Sequence, residues 1–423
     1  MNVLVMGINY APESTGFAPH TTALCEYLAG RGNRVTVITG FPFAPQWARW
    51  PSYRRKFIAR EFLDNVEILR VTHFIPRRPR QMIQRIVMEG TFCLALALVL
   101  LARPFARWDV ILYVGAQPSI AMMARLIARL NGVPYLVKIT DLAAQAAADV
   151  GIVKSAWLNR ALAAFEYAAY SRASGAIVLC GAFQEALVAR GYPPDRIRII
   201  RDSVDLELIR PLTNGGAFRH AIQLSPDDFV VLYSGSMGLK QGLPNAVEAA
   251  RLLREECMAV KWVLVGDGEL RPEVERRIAD HGLEQQVRLL PLQPEEQMSA
   301  MFSSADVLLL NQVSTIKDTV IPSKLLTYMA AGRPVLAAVN SASQAALLLR
   351  EAGGGMIVTP EDPATLAAAV RSLQADREKL RTMGQRNRQY AEEHFDRKKI
   401  LAAQEAFLIE TVKGFTSRQK VAV

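Results

Sequence analysis

Val230-Val-Leu-Tyr-Ser-Gly-Ser-Met-Gly-Leu-Lys-Gln-Gly-Leu243 is the stretch on which the reading of the chain turns. Val230–Ser234 is a short run of β-branched and aromatic residues, Gly235–Gly242 carries three glycines, and Leu243–Arg254 has apolar residues at helical spacing. Strand, glycine-rich loop and helix in that order predict a βα unit of a parallel sheet. Outward from it the alternation repeats. Downstream, strands are predicted at Trp262–Val265, Val287–Leu290, Val307–Leu310, Val335–Ala338 and Met356–Val358, with helices at Pro294–Phe302, Ser323–Ala330 and Thr365–Gln374. Upstream, strands are predicted at Val3–Ile8, Val35–Thr39, Val66–Val71, Val110–Val114, Tyr135–Ile139, Ala176–Leu179 and Ile197–Ile200. Ser203–Pro211 reads as a link between two such series. The expected fold class is α/β, two Rossmann-like doubly wound domains facing a central cleft. The domains are expected at 1–205 and 206–390, with a helix over 391–423 that either docks on the second or crosses back to the first. Ligands of such sheets sit at the carboxyl ends of the strands.

Composition narrows the class. With 423 residues, 21% charged and 51% hydrophobic, the chain can bury a core in each of two or three domains, which excludes global disorder. Cys25, Cys93, Cys180 and Cys257 form no CxxC pair, as expected of a reducing compartment. The opening MNVLVMGINYAPE lacks a basic n-region and a cleavage site, so no signal peptide is expected. The net charge of +10 is lopsided. Residues 1–205 hold 24 Lys+Arg against 14 Asp+Glu, residues 206–423 hold 26 of each, and Arg49–Arg107 alone holds 12 against 4. A concentrated basic patch points to an anionic partner.

Four loops could carry chemistry. Gly7–Gly16 (GINYAPESTG) follows the first strand and can bring backbone N–H groups to a phosphate, though it is not the GxGxxG of dinucleotide binding. Gly235–Gly242 is the second and Gly266-Asp267-Gly268-Glu269 the third. In the fourth, Pro322 and Ser323 open a helix with Lys324 in its first turn. A cation there opposes the helix dipole, which makes sense where an anion binds. Each is a plain turn if taken alone. His20, His73, His220, His281 and His394 lack metal-ligand spacing, so no metal site is expected.

GINYAPESTG (7–16), SGSMGLKQGL (234–243), LVGDGELR (264–271) and PSKLLTYMAAGRPV (322–335) occur in the order of one known pattern. On these residues the chain resembles the retaining GT-B glycosyltransferases of family 4, and within them the exopolysaccharide enzymes of the colanic-acid type. The resemblance implies a nucleotide-diphosphate sugar as donor, held mainly by the second domain, no metal or other cofactor, and an acceptor on the first domain. It places Gly16, Gly235, Ser236, Lys240, Gly266, Asp267, Gly268, Glu269, Leu292, Thr319, Pro322, Ser323, Lys324 and Thr327 around the donor. Lys324 and Asp141 would be catalytic, and Asn9, Tyr10, Glu13 and His20 would border the acceptor. Asp141 also reads as an Asx N-cap of a following helix. The chain departs from the broad family where many members carry two glutamates, here Thr319 and Thr327, and where the loop's usual Arg and Lys are Ser236 and Gln241. The colanic-acid-type branch often lacks the glutamate pair. Two other readings stay open: a GT-B sugar-nucleotide epimerase, and a catalytically silent sugar-nucleotide-binding partner in polysaccharide assembly.

The basic segment contains PSYRRKF, IPRRPRQ and the apolar run Phe92–Ala102 of 11 residues, short of the roughly 20 that span a bilayer. It reads as a buried helix of the first domain or as a monotopic membrane surface. In the second reading Arg54, Arg55, Arg77, Arg78 and Arg80 face anionic lipid, and Trp47, Trp50, Tyr53, Phe57, Phe74, Ile75 and Ile86 dip into the interface. No nucleic-acid-binding motif accompanies the patch, so nucleic acid is not an expected partner. The expected partners are a nucleotide sugar, a lipid-pyrophosphate-linked glycan of exopolysaccharide or O-antigen assembly, and the anionic inner membrane. The expected location is cytoplasmic, peripheral on the inner face of that membrane.

Overall fold

Runs of Val, Leu and Ile flanked by glycine and proline turns form fourteen strands among the described residues of a computed structural model. Those residues are 1–423 except 15, 45, 79–80, 103–106, 143–155, 213–214, 317–320 and 422–423. The chain divides into two units, Met1–Arg201 with Lys398–Val423, and Asp202–Arg397.

In the first unit the strands are β1 (Asn2–Met6), β2 (Arg34–Gly40), β3 (Ile58–Leu63), β4 (Val66–Val71), β5 (Val110–Gly115), β6 (Tyr135–Ile139), β7 (Gly175–Val178) and β8 (Ile197–Ile199). They lie in the order β3-β4-β2-β1-β5-β6-β7-β8. All pairs are parallel except β3–β4. The order reverses between β1 and β5, where Val3 pairs with both Val35 and Val110. That is the switch point at which such sheets open a crevice. Gly7 leaves β1 there, and a Cβ on it would come within 2.7 Å of the Val114 carbonyl oxygen.

The second unit holds β9 (Phe229–Ser234), β10 (Val260–Val265), β11 (Val287–Leu290), β12 (Val307–Asn311), β13 (Val335–Ala338) and β14 (Gly355–Val358). The sheet is wholly parallel, in the order β11-β10-β9-β12-β13-β14, and it switches between β9 and β12. Its inner strands are buried on both faces and its edge strands β11 and β14 only in part, so the inner ones read as continuous apolar runs and the limits were legible to within a residue or two.

The last helix, Arg397–Val421, belongs to the first unit from Lys398 onward. Leu401, Phe407 and Leu408 complete the core formed by Val3, Val5, Val35 and Val37 with Leu24 and Leu28 of the helix Ala18–Gly30. The approach is tight at β7, where a Cβ on Gly175 would meet the Phe407 ring at 2.8 Å. Glycine is required there by space.

Phe92–Ala102 is the second half of a longer helix, Met82–Ala102, which packs beside β4 and the helix Pro118–Asn131. Met88, Phe92, Leu96 and Val99 face inward and are buried. Ile83, Ile86, Leu94, Leu98 and Leu101 are exposed, Leu101 to 76%. At 100° per residue they fall within about 60° of one line along the helix. The residues that break the apolar run in sequence lie off this stripe. Arg85 sits over the Trp47 ring at 5.9 Å, and Glu89 accepts a hydrogen bond from Ser119 Oγ. By length and composition this helix could cross a membrane, which the count of 11 residues understated, yet its inner face is anchored in the unit.

Candidate functional site

The carboxyl ends of β9 and β10 carry the two glycine loops, and these loops lie against one another. Gly235 N–H donates to the Val265 carbonyl at 2.9 Å, and Met237 N–H to that of Asp267 at 2.8 Å. Gly266 has φ of 152°, and a Cβ there would stand 1.9 Å from the Gly235 oxygen. Gly268, at φ 148°, would strike the Met237 backbone at 2.8 Å. These glycines let the backbones leaving β9 and β10 touch, beside the switch point between β9 and β12.

The helix Ser323–Ala330 supplies the cation. Pro322 caps it without a side-chain hydrogen bond, so the cap residue leaves the first-turn N–H groups open to another acceptor. Lys324 Nζ donates to Tyr233 Oη at 2.7 Å and to Gln241 Oε1 at 3.2 Å, and lies 4.1 Å from the centre of the Tyr233 ring. A Cβ on Gly235 would approach Nζ to 3.2 Å. Among the described residues the amine is thus held by neutral groups, and burial pushes its pKa down to about 7. One turn further on, Tyr328 Oη accepts from Ser234 N–H at 2.9 Å and donates to the Ser234 carbonyl at 3.1 Å. Tyr233 Oη in turn donates to the Ser236 carbonyl at 2.5 Å.

Asn311, buried at the end of β12, fixes the far side of the loop. Its Nδ2 donates to the Gln241 and Gly242 carbonyls at 2.6 and 2.9 Å, and its Oδ1 accepts from Asn245 at 3.0 Å. Arg271 does the same for the neighbouring strands, with Nη1 on the Gly266 and Leu290 carbonyls at 2.6 and 3.2 Å. The sequence reading assigned no role to Tyr233, Tyr328, Asn311 or Arg271. An asparagine closing the all-apolar run Val307–Leu310 was the signal available. Ser236, Lys240, Asp267, Glu269, Leu292 and Ser323 are exposed around these loops. Thr327 Oγ1 donates back to the Ser323 carbonyl at 3.3 Å. Thr319 lies outside the described residues.

In the first unit two of the four residues expected beside the acceptor are inside the protein. Tyr10 is 1% exposed and packs in the core with Cys25, where burial raises its hydroxyl pKa. Glu13 is also buried. Its Oε1 accepts from the Phe43 and Ala44 N–H groups at 2.8 and 2.7 Å and its Oε2 from Asn9 Nδ2 at 2.7 Å, so it pins one loop to another. The buried Arg70 straps the same loop through the Ala11 carbonyl. Asn9 and His20 are half-buried, Gly16 is exposed with φ of 64°, and Asp141 is half-buried at the end of β6 with its carboxylate on the Leu142 N–H at 2.9 Å. Arg54, Arg55, Arg77 and Arg78 are exposed, while Arg80 lies outside the described residues. Trp47, Trp50 and Tyr53 are half-buried rather than offered outward, Trp47 against Phe43 and Tyr53 against Phe41. Among the described residues no group of three or more His, Cys, Asp or Glu is placed to hold a metal ion.

Residues 15–202 match the family "Glycosyl transferase 4-like domain" and residues 217–390 the family "Glycosyl transferases group 1". The chain is 27% identical over 409 residues to the putative colanic acid biosynthesis glycosyl transferase WcaI of Escherichia coli K12, covering 95% of this chain and 98% of that one. Its fold is similar to a sucrose-phosphate synthase from Thermosynechococcus elongatus, with a TM-score of 0.72, 17% identity and coverage of 98% and 99%. It is also similar to Anabaena HepE in complex with UDP, with a TM-score of 0.70, 16% identity and coverage of 97% and 100%. With both family domains present in order, on sheets that share the GT-B fold, the chain belongs to the group 1 glycosyltransferases and is a transferase.

Proposed function

We propose that this enzyme moves a sugar, with retention of configuration, from a nucleotide-diphosphate sugar to a lipid-pyrophosphate-linked glycan of exopolysaccharide or O-antigen assembly. The observation that carries the donor half of this reading is Lys324. A largely buried amine whose hydrogen bonds among the described residues go to a phenol and an amide, beside two glycine loops and a helix N-terminus, has the chemistry of a diphosphate site. HepE, whose fold is similar, has been solved with UDP-glucose, and the WcaI relative is named for colanic acid biosynthesis. In the step proposed, the acceptor hydroxyl oxygen bonds to the anomeric carbon on the face from which the diphosphate leaves. The C1–O bond to the diphosphate breaks, and the departing phosphate oxygen takes the hydroxyl proton. Lys324 and the amides about Pro322–Lys324 hold the charge that develops on that oxygen. No metal is invoked. The acceptor half of the reading rests on the excess of basic residues over Arg49–Arg107 and on the exposed stripe of the helix Met82–Ala102, which suit a peripheral position on the cytoplasmic face of an anionic membrane.

The test is turnover with UDP-, GDP- and dTDP-linked sugars and lipid-pyrophosphate acceptors, with NMR of the new anomeric centre and a chelator control. Retained configuration and a rate indifferent to chelator are expected. An inverted product or a divalent-ion requirement overturns the mechanism, and donor binding without turnover would mark a silent partner.

A further inference from the structure

One cavity in the first unit is not used by the reaction just described. It has a volume of about 340 Å³ and lies under the last turns of the helix Met82–Ala102. Asn2 and Arg34, the first residues of β1 and β2, are on its wall. It runs along β2 past Thr36 to Ile38 and reaches the amino ends of the strands, the edge opposite the Gly7–Gly16 loop. Its volume is at the small end of the roughly 300–1,000 Å³ of small-molecule sites.

Its chemistry is divided. Leu69, Val99, Leu100 and Trp108 make an apolar interior, and Arg34, Arg60 and Arg107 stand at its rim. Glu67 is the acid among its lining residues, and Arg60 Nε already binds that carboxylate at 2.8 Å. Arg34 and Arg107 are exposed and have no side-chain partner among the described residues. The exposed stripe of the helix, ending at Leu98 and Leu101, runs to this end of the unit. Two guanidinium groups with no side-chain partner among the described residues, next to an apolar chamber, are complementary to one kind of ligand, a phosphate attached to a hydrocarbon chain.

We propose that this cavity binds the phosphate headgroup and chain of an anionic lipid. The phosphate sits between Arg34 and Arg107, and the chain lies along Leu69, Val99 and Trp108. The proposal rests on the membrane-surface reading only for the source of the lipid, so its test is made without a membrane. Octanoyl lysophosphatidic acid, used as a monomer, is titrated into the full-length protein, with inorganic phosphate and octanoyl lysophosphatidylcholine as separate arms. Binding is followed by calorimetry and by the change in Trp108 emission, which is assigned by its loss in Trp108→Phe. The lysophosphatidic acid should bind best, and Arg34→Gln/Arg107→Gln, at two exposed positions, should weaken it roughly tenfold or more. Equal affinity in that double variant overturns the proposal. So does inorganic phosphate binding as tightly as the lipid, which would make the rim a free-phosphate site. Vesicle sedimentation of the same variant is scored separately, because its loss or retention speaks to the membrane reading and not to the cavity.

Discussion

Lys324 is charged or neutral according to what else is in its site, because its hydrogen-bond partners among the described residues are Tyr233 and Gln241 and not an acid. With its pKa pushed down to about 7 by burial, the empty site holds a largely neutral amine at pH 8. A bound diphosphate raises that pKa again, so binding takes up a proton above about pH 7 and donor affinity falls as pH rises from there. Calorimetry of the nucleoside diphosphate in buffers of different ionisation enthalpy should show proton uptake at pH 8.5 and less at pH 6. For folding the sign is opposite. The unfolded chain binds the extra proton between about 7 and the ordinary lysine value, so this residue's contribution to stability rises with pH across that window. Lys324→Ala should weaken diphosphate binding roughly 10–100-fold, the worth of a hydrogen bond to a charged group; unchanged affinity removes it from the site. Asn311→Ala should destabilise the second unit by about 1–3 kcal/mol, since two buried loop carbonyls lose their donor, and it should raise the donor KM more than it lowers kcat. Lys324 was legible because a first-turn cation is a local anomaly visible in sequence. Tyr10 and Glu13 were not, because a loop's residue types do not say which of its side chains turn inward.

Among elements, the helix Met82–Ala102 and the strand β3 show where periodicity informs and where it misleads. Strands buried on both faces, such as Val66–Val71 and Tyr135–Ile139, were read at their observed limits. Ile58–Leu63 (IAREFL) was missed because it is an edge strand with little buried surface, paired antiparallel to β4, and its apolar and charged residues do not alternate cleanly. In the helix, Arg85 and Glu89 shortened the apparent apolar run although both lie away from the exposed stripe. Leu94→Glu/Leu98→Glu introduces two charges at positions that are 64% and 60% exposed, so the fold should survive. Sedimentation with phosphatidylglycerol vesicles should then fall sharply, and unchanged sedimentation would remove this face from the membrane argument. Arg77→Ser/Arg78→Ser should weaken the same binding in proportion to the anionic lipid fraction, at about 1 kcal/mol per arginine.

For the molecule as a whole, the basic excess lies in the first unit, which carries +15 once the closing helix from Lys398 is counted with it, against −5 for Asp202–Arg397. Removal of Lys398–Val423 would uncover the seats of Leu401, Phe407 and Leu408, worth about 5–9 kcal/mol at roughly 1.5–3 kcal/mol per side chain. A domain's whole stability is roughly 5–15 kcal/mol. The truncated chain should therefore be proteolysed within its first two hundred residues while Asp202–Arg397 persists, a contrast that limited proteolysis with mass spectrometry would resolve. The C-terminal helix also bears on how the protein is made. A ribosome that has finished Arg201 still has some two hundred residues to add before Leu408, about 10–40 s at ordinary elongation rates. Through that interval the first sheet waits with one face unfilled, and the second unit, contiguous in the chain, can close before it. The half synthesised first is thus completed last, and its apolar face stays open to solvent the longest.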